Sequence, residues 1–385
     1  MKKKANIILT AAFLVLIILM PLAGSVIRGA AGEKASEENR ALAAFPEVHS
    51  LADLDAFPDR FTAWFTDHLY WKPPLVGLKT DLELTLFSEL DSENVIAGTK
   101  KPWLFYRAKD GEPLETYKHT NLFSEEYLQR VTDNLKELAG ELQELDIGFV
   151  LLIVPDKEQI YGDSYMPKRI RVLEGPNRTE QLLKYLSENA PEIRTVYPAG
   201  LLKEKAPEED LYYTTDTHWN REGAYLAFGE LLEALAEAEG LPAAQIPHSF
   251  MVTGAKSGDL QRLVQLGSSW DSVEKDAAEG FQLEVTDQLK DKNDEAVREA
   301  AVSTSQNALP VRVYLTGDSF RWNLTPFVEE GFSESVVTSR YYFDTEDLVM
   351  SEPDVLVYEI AERYLHELSS IPGYNTMALQ LDDPQ

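Results

Sequence analysis

The chain has 385 residues, no cysteine, and 36 basic against 65 acidic residues, which give a formal net charge of −29 at pH 7. The absence of cysteine excludes disulfides, metal–thiolate clusters and cysteine catalysis. The negative field opposes attraction of a nucleic acid or another anionic polymer, so we expect no nucleic acid among the partners.

Residues 1–27 predict a signal anchor or a signal peptide. Three lysines at positions 2–4 precede an apolar stretch over residues 7–23, which is near the length needed to cross about 30 Å of hydrocarbon. The lysines favour a cytoplasmic start, with the following domain outside the cell. Small residues around positions 23 and 30 leave cleavage open. We therefore expect either a single-pass membrane protein or, after cleavage, a secreted one.

The next segments predict a stalk and the start of a domain. Residues 28–50 are polar and alanine-rich, which is typical of a stalk. A helix with an aromatic face follows, and we interpret that face as core packing. Its members are Phe57, Phe61, Trp64, Phe65 and Leu69. We interpret residues 51–370 as one domain and residues 371–385 as a C-terminal tail.

Helices and buried strands alternate along this domain. Leucines at helical spacing predict an amphipathic helix over residues 125–146, and the apolar run 149–154 predicts a strand buried on both faces. The same patterns predict a helix over 179–189, a strand near 195–197, a helix capped by Asn220, and strands over 311–315 and 355–358. This alternation favours a three-layer α/β/α domain with a mostly parallel sheet. Residues 270–308 are polar with few large apolar side chains, so we expect an exposed insertion or a mobile loop there.

An acid, a histidine and a serine are the candidates for chemistry. Extended backbone would place the side chains of Asp216 and His218 on one face, because they are two residues apart. Ser319 comes at the end of an apolar strand, where ligand sites of open parallel sheets lie, and Gly317 is expected to give the turn its freedom. A histidine oriented by a carboxylate activates a serine hydroxyl as a nucleophile.

Other interpretations of these motifs remain open. The Asp-x-His segment is also compatible with a buried histidine at a helix entry, and the Gly-Asp-Ser segment with an ordinary turn. Histidine and carboxylate together ligate divalent cations. Because no second histidine lies at ligand spacing, we expect no metal.

Further residues near the motifs are candidates for substrate binding. Four aromatic side chains are either walls of a sugar groove or core packing: Trp219, Trp322, Tyr213 and Tyr161. Three basic side chains are candidates for a local basic cleft: Lys157, Arg321 and Arg363.

Several short segments occur in an order that is found in a known family. The longer ones are Pro155-Asp156-Lys157-Glu158, Tyr212 to Asn220 with Gly223-Ala224-Tyr225, and Gly317-Asp318-Ser319-Phe320. The shorter ones are Glu38-Asn39-Arg40, Phe45-Pro46, Trp103 to Tyr106, Gly258-Asp259-Leu260 and Glu362-Arg363. Together they resemble the alginate O-acetyltransferase family, whose Gram-positive relatives are called DHHW proteins.

The resemblance implies an SGNH hydrolase-like domain in which the acid and the base precede the serine, the reverse of the order in most SGNH hydrolases. It places the family's catalytic aspartate and histidine on Asp216 and His218, and its nucleophile on Ser319. The implied activity is acetyl transfer onto an extracellular polysaccharide through an acetyl-serine, with no bound cofactor. A membrane-bound O-acyltransferase is the implied partner that supplies the acetyl groups.

Two other functions are compatible with the same residues. A carbohydrate acetylesterase would use the same triad, and a non-catalytic glycan-binding or assembly protein would not need it. Alginate is a polyanion and this chain is strongly acidic, so we expect a neutral or weakly charged glycan as the acceptor.

Overall fold

The computed structural model describes residues 43–371, except residues 69–71, 88–89, 91, 239, 242–244, 282–284, 292–294 and 307. These residues form two compact units. The predicted anchor over 1–27, most of the predicted stalk, and the tail from residue 372 lie outside the described residues. Within the described part of the chain, no helix combines the length and the apolar character needed to cross a membrane.

The first unit contains the described residues up to Phe87 together with Val264–Gly267. Its helices are α1 (Leu51–His68) and α2 (Lys72–Phe87). The predicted aromatic face is present on α1, where the ring of Phe61 stacks on those of Phe57 and Phe65 at centroid distances of 5.7 and 6.0 Å. Leu69 lies outside the described residues. The sequence predicts one domain over residues 51–370, and this boundary stays a prediction. In the structure, α1 and α2 belong to the first unit and the main sheet to the second.

The second unit alternates strands and helices. In chain order these are β1 (Val95–Ala97), β2 (Leu104–Tyr106), α3 (Pro113–Tyr117), α4 (Glu125–Glu144), β3 (Gly148–Val154), α5 (Lys157–Tyr165), α6 (Arg178–Asn189), β4 (Arg194–Val196), α7 (Ala199–Lys205), α8 (Arg221–Ala238), β5 (Phe250–Lys256), α9 (Asp259–Leu263), β6 (Ser272–Ala277), β7 (Val285–Lys290), β8 (Ala296–Thr304), β9 (Leu309–Gly317), α10 (Arg321–Gly331), β10 (Phe332–Ser339), α11 (Thr345–Met350) and β11 (Val355–Ala361). Short 3₁₀ helices cover Ser268–Trp270 and Glu362–Ser369.

The main sheet has seven strands in the order β4-β3-β11-β9-β10-β8-β7. The first five of these run parallel to one another, and β8 and β7 are antiparallel additions at one edge. The prediction of a mostly parallel sheet is therefore confirmed, and the sheet as a whole is mixed.

Helices cover both faces of the sheet, because its central strands are apolar on both sides. In β3, Leu152 and Val154 pack with α8 and α10 on one face. Leu151 and Ile153 pack with α4 and α6 on the other. The three-layer prediction is confirmed. The predicted cap also forms, since the backbone N–H of Gly223 donates to Asn220 Oδ1 at 3.0 Å, and it fixes the start of α8 directly after the Asp-x-His segment.

Residues 270–308 form three strands, although the sequence predicts an exposed insertion or a mobile loop. β6 pairs with β5 in a separate two-stranded antiparallel sheet, and β7 and β8 extend the main sheet through β10. Few of their side chains are buried, with Leu289 and Ala300 among them. Antiparallel strands at the edge of a sheet, with one face exposed to solvent, need few large apolar residues. The composition of this segment therefore resembles that of a loop.

Candidate active site

The carboxyl end of β9 and the loop before α8 bring the three predicted catalytic residues together. His218 Nε2 lies 2.6 Å from Ser319 Oγ, and His218 Nδ1 lies 2.6 Å from Asp216 Oδ1. Both distances are in hydrogen-bonding range. Ser319 is partly buried and the His218 side chain is 17% exposed, so a substrate can reach the pair. The roles of these three residues stay a prediction that rests on this geometry.

A tight turn, and not extended backbone, places Asp216 beside His218. Residues 214–218 form turns and bends, and the backbone N–H of His218 donates to Asp216 Oδ1 at 3.0 Å. A carboxylate that accepts from the N–H two residues later forms an Asx turn. The two side chains are close together, as the Asp-x-His spacing allows, and an Asx turn rather than extended backbone brings them together.

Asp216 is held as an ionised acceptor. Its Oδ1 accepts from the ring and the backbone of His218, and its Oδ2 accepts from the backbone N–H of Asp259 at 3.0 Å. Burial opposes ionisation, but the hydrogen bonds and charge of His218 outweigh it and lower the pKa of Asp216 below its ordinary value. An ionised Asp216 fixes the tautomer in which His218 Nε2 faces Ser319 as an acceptor.

Gly317 serves close packing, not the turn freedom that the sequence suggests. It is the last residue of β9, and a Cβ at this position would overlap the carboxylate of Glu359 on the neighbouring strand β11. Glu359 is completely buried, and burial raises its pKa well above the ordinary value. Glycine therefore lets two central strands approach immediately before the nucleophile.

Asp259 is a second carboxylate in the site, and sequence reasoning did not assign it a role. Its Oδ1 and Oδ2 accept from the backbone N–H and the hydroxyl of Thr217 at 2.8 and 2.6 Å, and its Oδ2 lies 3.7 Å from His218 Nδ1. Gly258 makes this approach possible, because a Cβ there would overlap the carbonyl of Thr215. The only sequence feature that could have indicated this role is the short Gly258-Asp259-Leu260 segment. Its distance from His218 in the chain gives no reason to assign Asp259 to the site.

Asp216, His218 and Asp259 together have the composition of a small metal site, with one ligand atom from each lying within 4.8 Å of the others. Their ligand atoms are already joined by hydrogen bonds, since His218 Nδ1 pairs with Asp216 Oδ1, and Asp259 Oδ2 accepts from Thr217. Hydrogen bonding of this kind accounts for the cluster without a cation.

Lys157, Trp219 and Arg363 form what we call the site floor. Lys157 is 1% exposed, and its Nζ donates to the carbonyls of Tyr213, Thr214 and Asp216 at 3.2, 3.2 and 2.6 Å. Burial lowers its pKa to about 8, although nearby carboxylates oppose the shift. The three carbonyls use the three donors of the ammonium group, so Lys157 supports the Asp216 turn and has no donor left for the substrate contact that the sequence predicts.

The other members of the site floor are also interior groups. Arg363 Nη1 donates to Asp156 Oδ1 at 2.6 Å, and its Nη2 donates to Thr217 Oγ1 at 3.4 Å. Trp219 is completely buried and donates from Nε1 to the carbonyl of Phe320 at 2.9 Å. Burial removes both side chains from the surface, which disfavours the substrate contacts that the sequence predicts for Arg363 and Trp219.

The remaining three predicted binding residues differ in exposure. Tyr213 is 3% exposed and therefore belongs to the interior as well. Arg321 is also buried, and its Nη1 donates to the carbonyl of Asp318 at 2.9 Å. Trp322 is 60% exposed, and its ring lies 6.2 Å from the ring of His218 at an angle of 28°. Trp322 therefore offers a surface to a substrate directly beside the base.

Comparison with known proteins agrees with the motifs and the fold. The family model described as "SGNH hydrolase-like domain, acetyltransferase AlgX" matches residues 95–362. The chain belongs to this family. The match confirms the resemblance that the short segments indicate, and it covers the whole sheet and the triad.

Family relatives and solved structures extend the similarity. The chain is 25% identical over 336 residues to the "Probable alginate O-acetylase AlgJ" of Azotobacter vinelandii, covering 78% of each. It is 23% identical to the Pseudomonas fluorescens protein of the same name, covering 82% of this chain and 80% of that one. The structure of Bacillus cereus PatB1 matches with a TM-score of 0.53 at 16% identity, over 72% of this chain and 100% of PatB1. At that identity the likeness supports the fold alone.

Proposed function

We propose that this acetyltransferase moves acetyl groups onto a polysaccharide through an acetyl ester of Ser319. The observation that carries the proposal is the hydrogen-bonded chain from Ser319 Oγ through His218 to Asp216, with both links at 2.6 Å. The matching family model is described as an acetyltransferase, and two relatives are named alginate O-acetylases. These names support a polysaccharide as the acceptor.

The proposed reaction has two half-reactions. In the first, Ser319 Oγ attacks the carbonyl carbon of the acetyl donor while its proton moves to His218 Nε2. The bond to the donor's leaving group breaks, that group departs with the proton from Nε2, and Ser319 keeps the acetyl group as an ester. In the second, a sugar hydroxyl gives its proton to Nε2 and attacks the ester, and Ser319 Oγ leaves and takes the proton back.

Both half-reactions pass through a tetrahedral oxyanion that needs hydrogen-bond donors. Backbone N–H groups near Ser319 are the predicted donors. The N–H of Phe320 is not among them, because it donates to Asp318 Oδ1 at 3.0 Å. This contact instead fixes Asp318, whose Oδ2 also accepts from the backbone N–H of Ala361 at 2.8 Å. Asp318 therefore ties the nucleophile turn to β11.

The acetyl donor is proposed to come from a partner. Residues 1–27 predict an anchor or an export signal that places the domain outside the cytoplasm. Acetyl-CoA is a cytoplasmic donor, so a membrane-bound O-acyltransferase is proposed to pass the acetyl group across the membrane to Ser319. Membrane attachment, extracytoplasmic location and the absence of a bound cofactor are parts of this proposal.

The test is acetyl transfer by the detergent-solubilised full chain, with 4-nitrophenyl acetate as donor and a panel of oligosaccharides as acceptors. We expect acetylated sugar in excess of free acetate, and an acetyl group on Ser319 in a rapidly quenched sample. Ser319→Ala should lower the rate by at least about 10³-fold. Ser187→Ala, at an exposed serine on α6, should behave like the unchanged chain.

Two outcomes would contradict the proposal and favour the other functions. Release of acetate without any acetylated sugar would identify an acetylesterase with the same triad. Undiminished polysaccharide acetylation in cells that carry Ser319→Ala would leave a glycan-binding or assembly role.

A further inference from the structure

A cleft of about 440 Å³ is lined in part by Arg321 and Trp322, which follow Ser319 closely in the chain. Its volume lies in the range of ligand sites, about 300 to 1,000 Å³. One wall comes from the edge strands β7 and β8, and the other from the start of α10. The polar and aromatic residues that line it are Asp287, Gln288, Glu299, Arg321, Trp322 and Thr325.

Trp322 connects this cleft to the chemistry. The residue lines the cleft, its side chain is largely exposed, and its ring lies beside that of His218. The C–H face of a sugar ring is apolar, so an exposed indole offers it a flat surface to pack on. A sugar packed there would present hydroxyl groups within reach of the base that must deprotonate one of them.

The charges of the lining are unfavourable for an anionic sugar. Two carboxylates, those of Asp287 and Glu299, face a single guanidinium, that of Arg321, so the ionised groups sum to −1. Arg321 Nη2 already pairs with Glu299 Oε2 at 2.8 Å, and its Nη1 donates to the carbonyl of Asp318. The cation is therefore used by the protein, while the exposed carboxylate of Asp287 faces solvent.

The β8 wall is held in a defined position. Glu299 has a φ of 53°, in the left-handed region that non-glycine residues rarely adopt. Strain of this kind persists where surrounding contacts enforce it, and it is common at functional sites. Here the ion pair with Arg321 holds Glu299, and Arg321 in turn holds Asp318 next to the nucleophile. The cleft wall and the nucleophile turn are thus one connected structure.

We propose that this cleft is the acceptor subsite, and that it accepts glycans of uncharged or amino-bearing sugars and rejects polyuronates. The proposal rests on the transferase function proposed above. Trp322 supplies the packing surface, and Asp287 with Glu299 supplies the charge that repels a carboxylated sugar and attracts an ammonium group. The specificity would then differ from that in the names of the alginate O-acetylase relatives.

The experiment compares three acceptors of similar length with the full chain and 4-nitrophenyl acetate: neutral cello-oligosaccharides, glucosamine oligosaccharides and mannuronate oligosaccharides. Acetyl-Ser319 formation without acceptor is measured separately, by the burst of 4-nitrophenol. We expect kcat/KM to be at least about 10-fold higher for the neutral and amino-bearing acceptors than for the uronate.

Two variants locate this preference in the cleft. Trp322→Ala should raise KM for every accepted sugar by about 10-fold. Asp287→Lys should reduce the discrimination against mannuronate by about 10-fold. Asp55→Lys, at an exposed carboxylate of α1, makes the same change in net charge elsewhere and should leave acceptor preference unchanged.

The outcomes separate the two proposals. If no burst occurs and Ser319 is never acetylated, the transferase proposal fails. If the burst occurs but mannuronate is the preferred acceptor, or Asp287→Lys and Asp55→Lys shift the preference equally, the acceptor subsite is overturned while the triad chemistry stands.

Discussion

The site floor and the cleft contain one tryptophan each, and the two differ completely in exposure. Trp219 is buried against the ring of Phe320, and its Nε1–H donates to the backbone carbonyl of Phe320. Trp322, by contrast, is 60% exposed and lies beside His218. Both lie within three residues of a triad member in the sequence. The site floor therefore contacts the segments that carry Asp216, His218 and Ser319, whereas Trp322 in the cleft lining is exposed to solvent.

The largest expected effect comes from removing the charge of Asp216, the triad residue whose backbone carbonyl accepts a hydrogen bond from Lys157 of the site floor. Both Asp216 oxygens accept from N–H groups, so Asp216→Asn must direct an amide NH₂ at a donor and loses the charge that stabilises protonated His218. We expect kcat to fall by about 10³- to 10⁴-fold, measured with 4-nitrophenyl acetate. A loss of under tenfold would mean that Asp259 replaces Asp216 as the partner of His218.

The two tryptophans provide a direct contrast in stability. Trp219→Ala should lower the free energy of unfolding by about 3 to 5 kcal/mol, because it leaves a cavity and an unpaired carbonyl. Trp322→Ala should change it by less than about 0.5 kcal/mol, because the side chain is largely solvated. Urea denaturation followed by circular dichroism measures both. Similar losses in the two variants would show that the distinction between floor and cleft is mistaken.

A variant of Lys157 tests whether the site floor supports the turn that carries Asp216. Lys157→Met keeps the side chain as far as Cε but removes the Nζ donor shared by three carbonyls. We expect a loss of about 2 to 4 kcal/mol in unfolding free energy and about a tenfold fall in kcat as the Asp216 turn loosens. Lys168→Met, at an exposed position, is the matched control. Full activity in Lys157→Met would show that the Asp216 turn does not need the hydrogen bonds of Lys157.

The smallest effect is a pH dependence of stability. Burial, followed by the charge of Asp156, raises the pKa of Glu362 to about 7 from an ordinary value of 4.5. Between these values the folded chain keeps a proton that the unfolded chain has lost, so unfolding free energy falls as pH rises from about 4.5 to 7, by about 1 to 3 kcal/mol.

Glu362→Gln mimics the protonated acid towards the N–H of Asp156 and the hydroxyl of Tyr197. It should therefore flatten the decline between pH 5 and 7, measured by urea denaturation at each pH. Glu180→Gln, on the partly exposed first turn of α6, should retain the slope. An unchanged slope in Glu362→Gln would place the titration elsewhere, with Glu158, whose pKa burial also raises to about 7, as the next group to test.

Sequence reasoning succeeds where the physical signal is local. The apolar runs of β3 and β11 predict strands buried on both faces, because short runs of consecutive apolar residues are typical of buried parallel strands. Asn220 predicts a helix start because a cap acts within three residues. The proximity of Asp216 and His218 is likewise local, and it survives even though an Asx turn, not extended backbone, produces it.

The missed features all depend on long-range contacts. The position of Asp259 near His218 results from a close approach of the loop at Gly258, and nothing in the neighbouring sequence indicates it. The burial of Lys157, Trp219 and Arg363 depends on contacts with segments that are distant in the chain. Residue type alone therefore suggests that these polar side chains lie at the surface. β7 and β8 have the amino-acid composition of a loop because only one face of each strand is packed against the protein.

β7 and β8 lie at one edge of the main sheet, outside its parallel core. These strands join the parallel core through β10 alone, and they carry Asp287 and Glu299, whereas the triad comes from segments that the core itself orders. If the cleft is the acceptor subsite as proposed, substitution of Asp287 changes the choice of sugar. Changes at Glu299 also reach the nucleophile turn, because Arg321 contacts both Glu299 and Asp318.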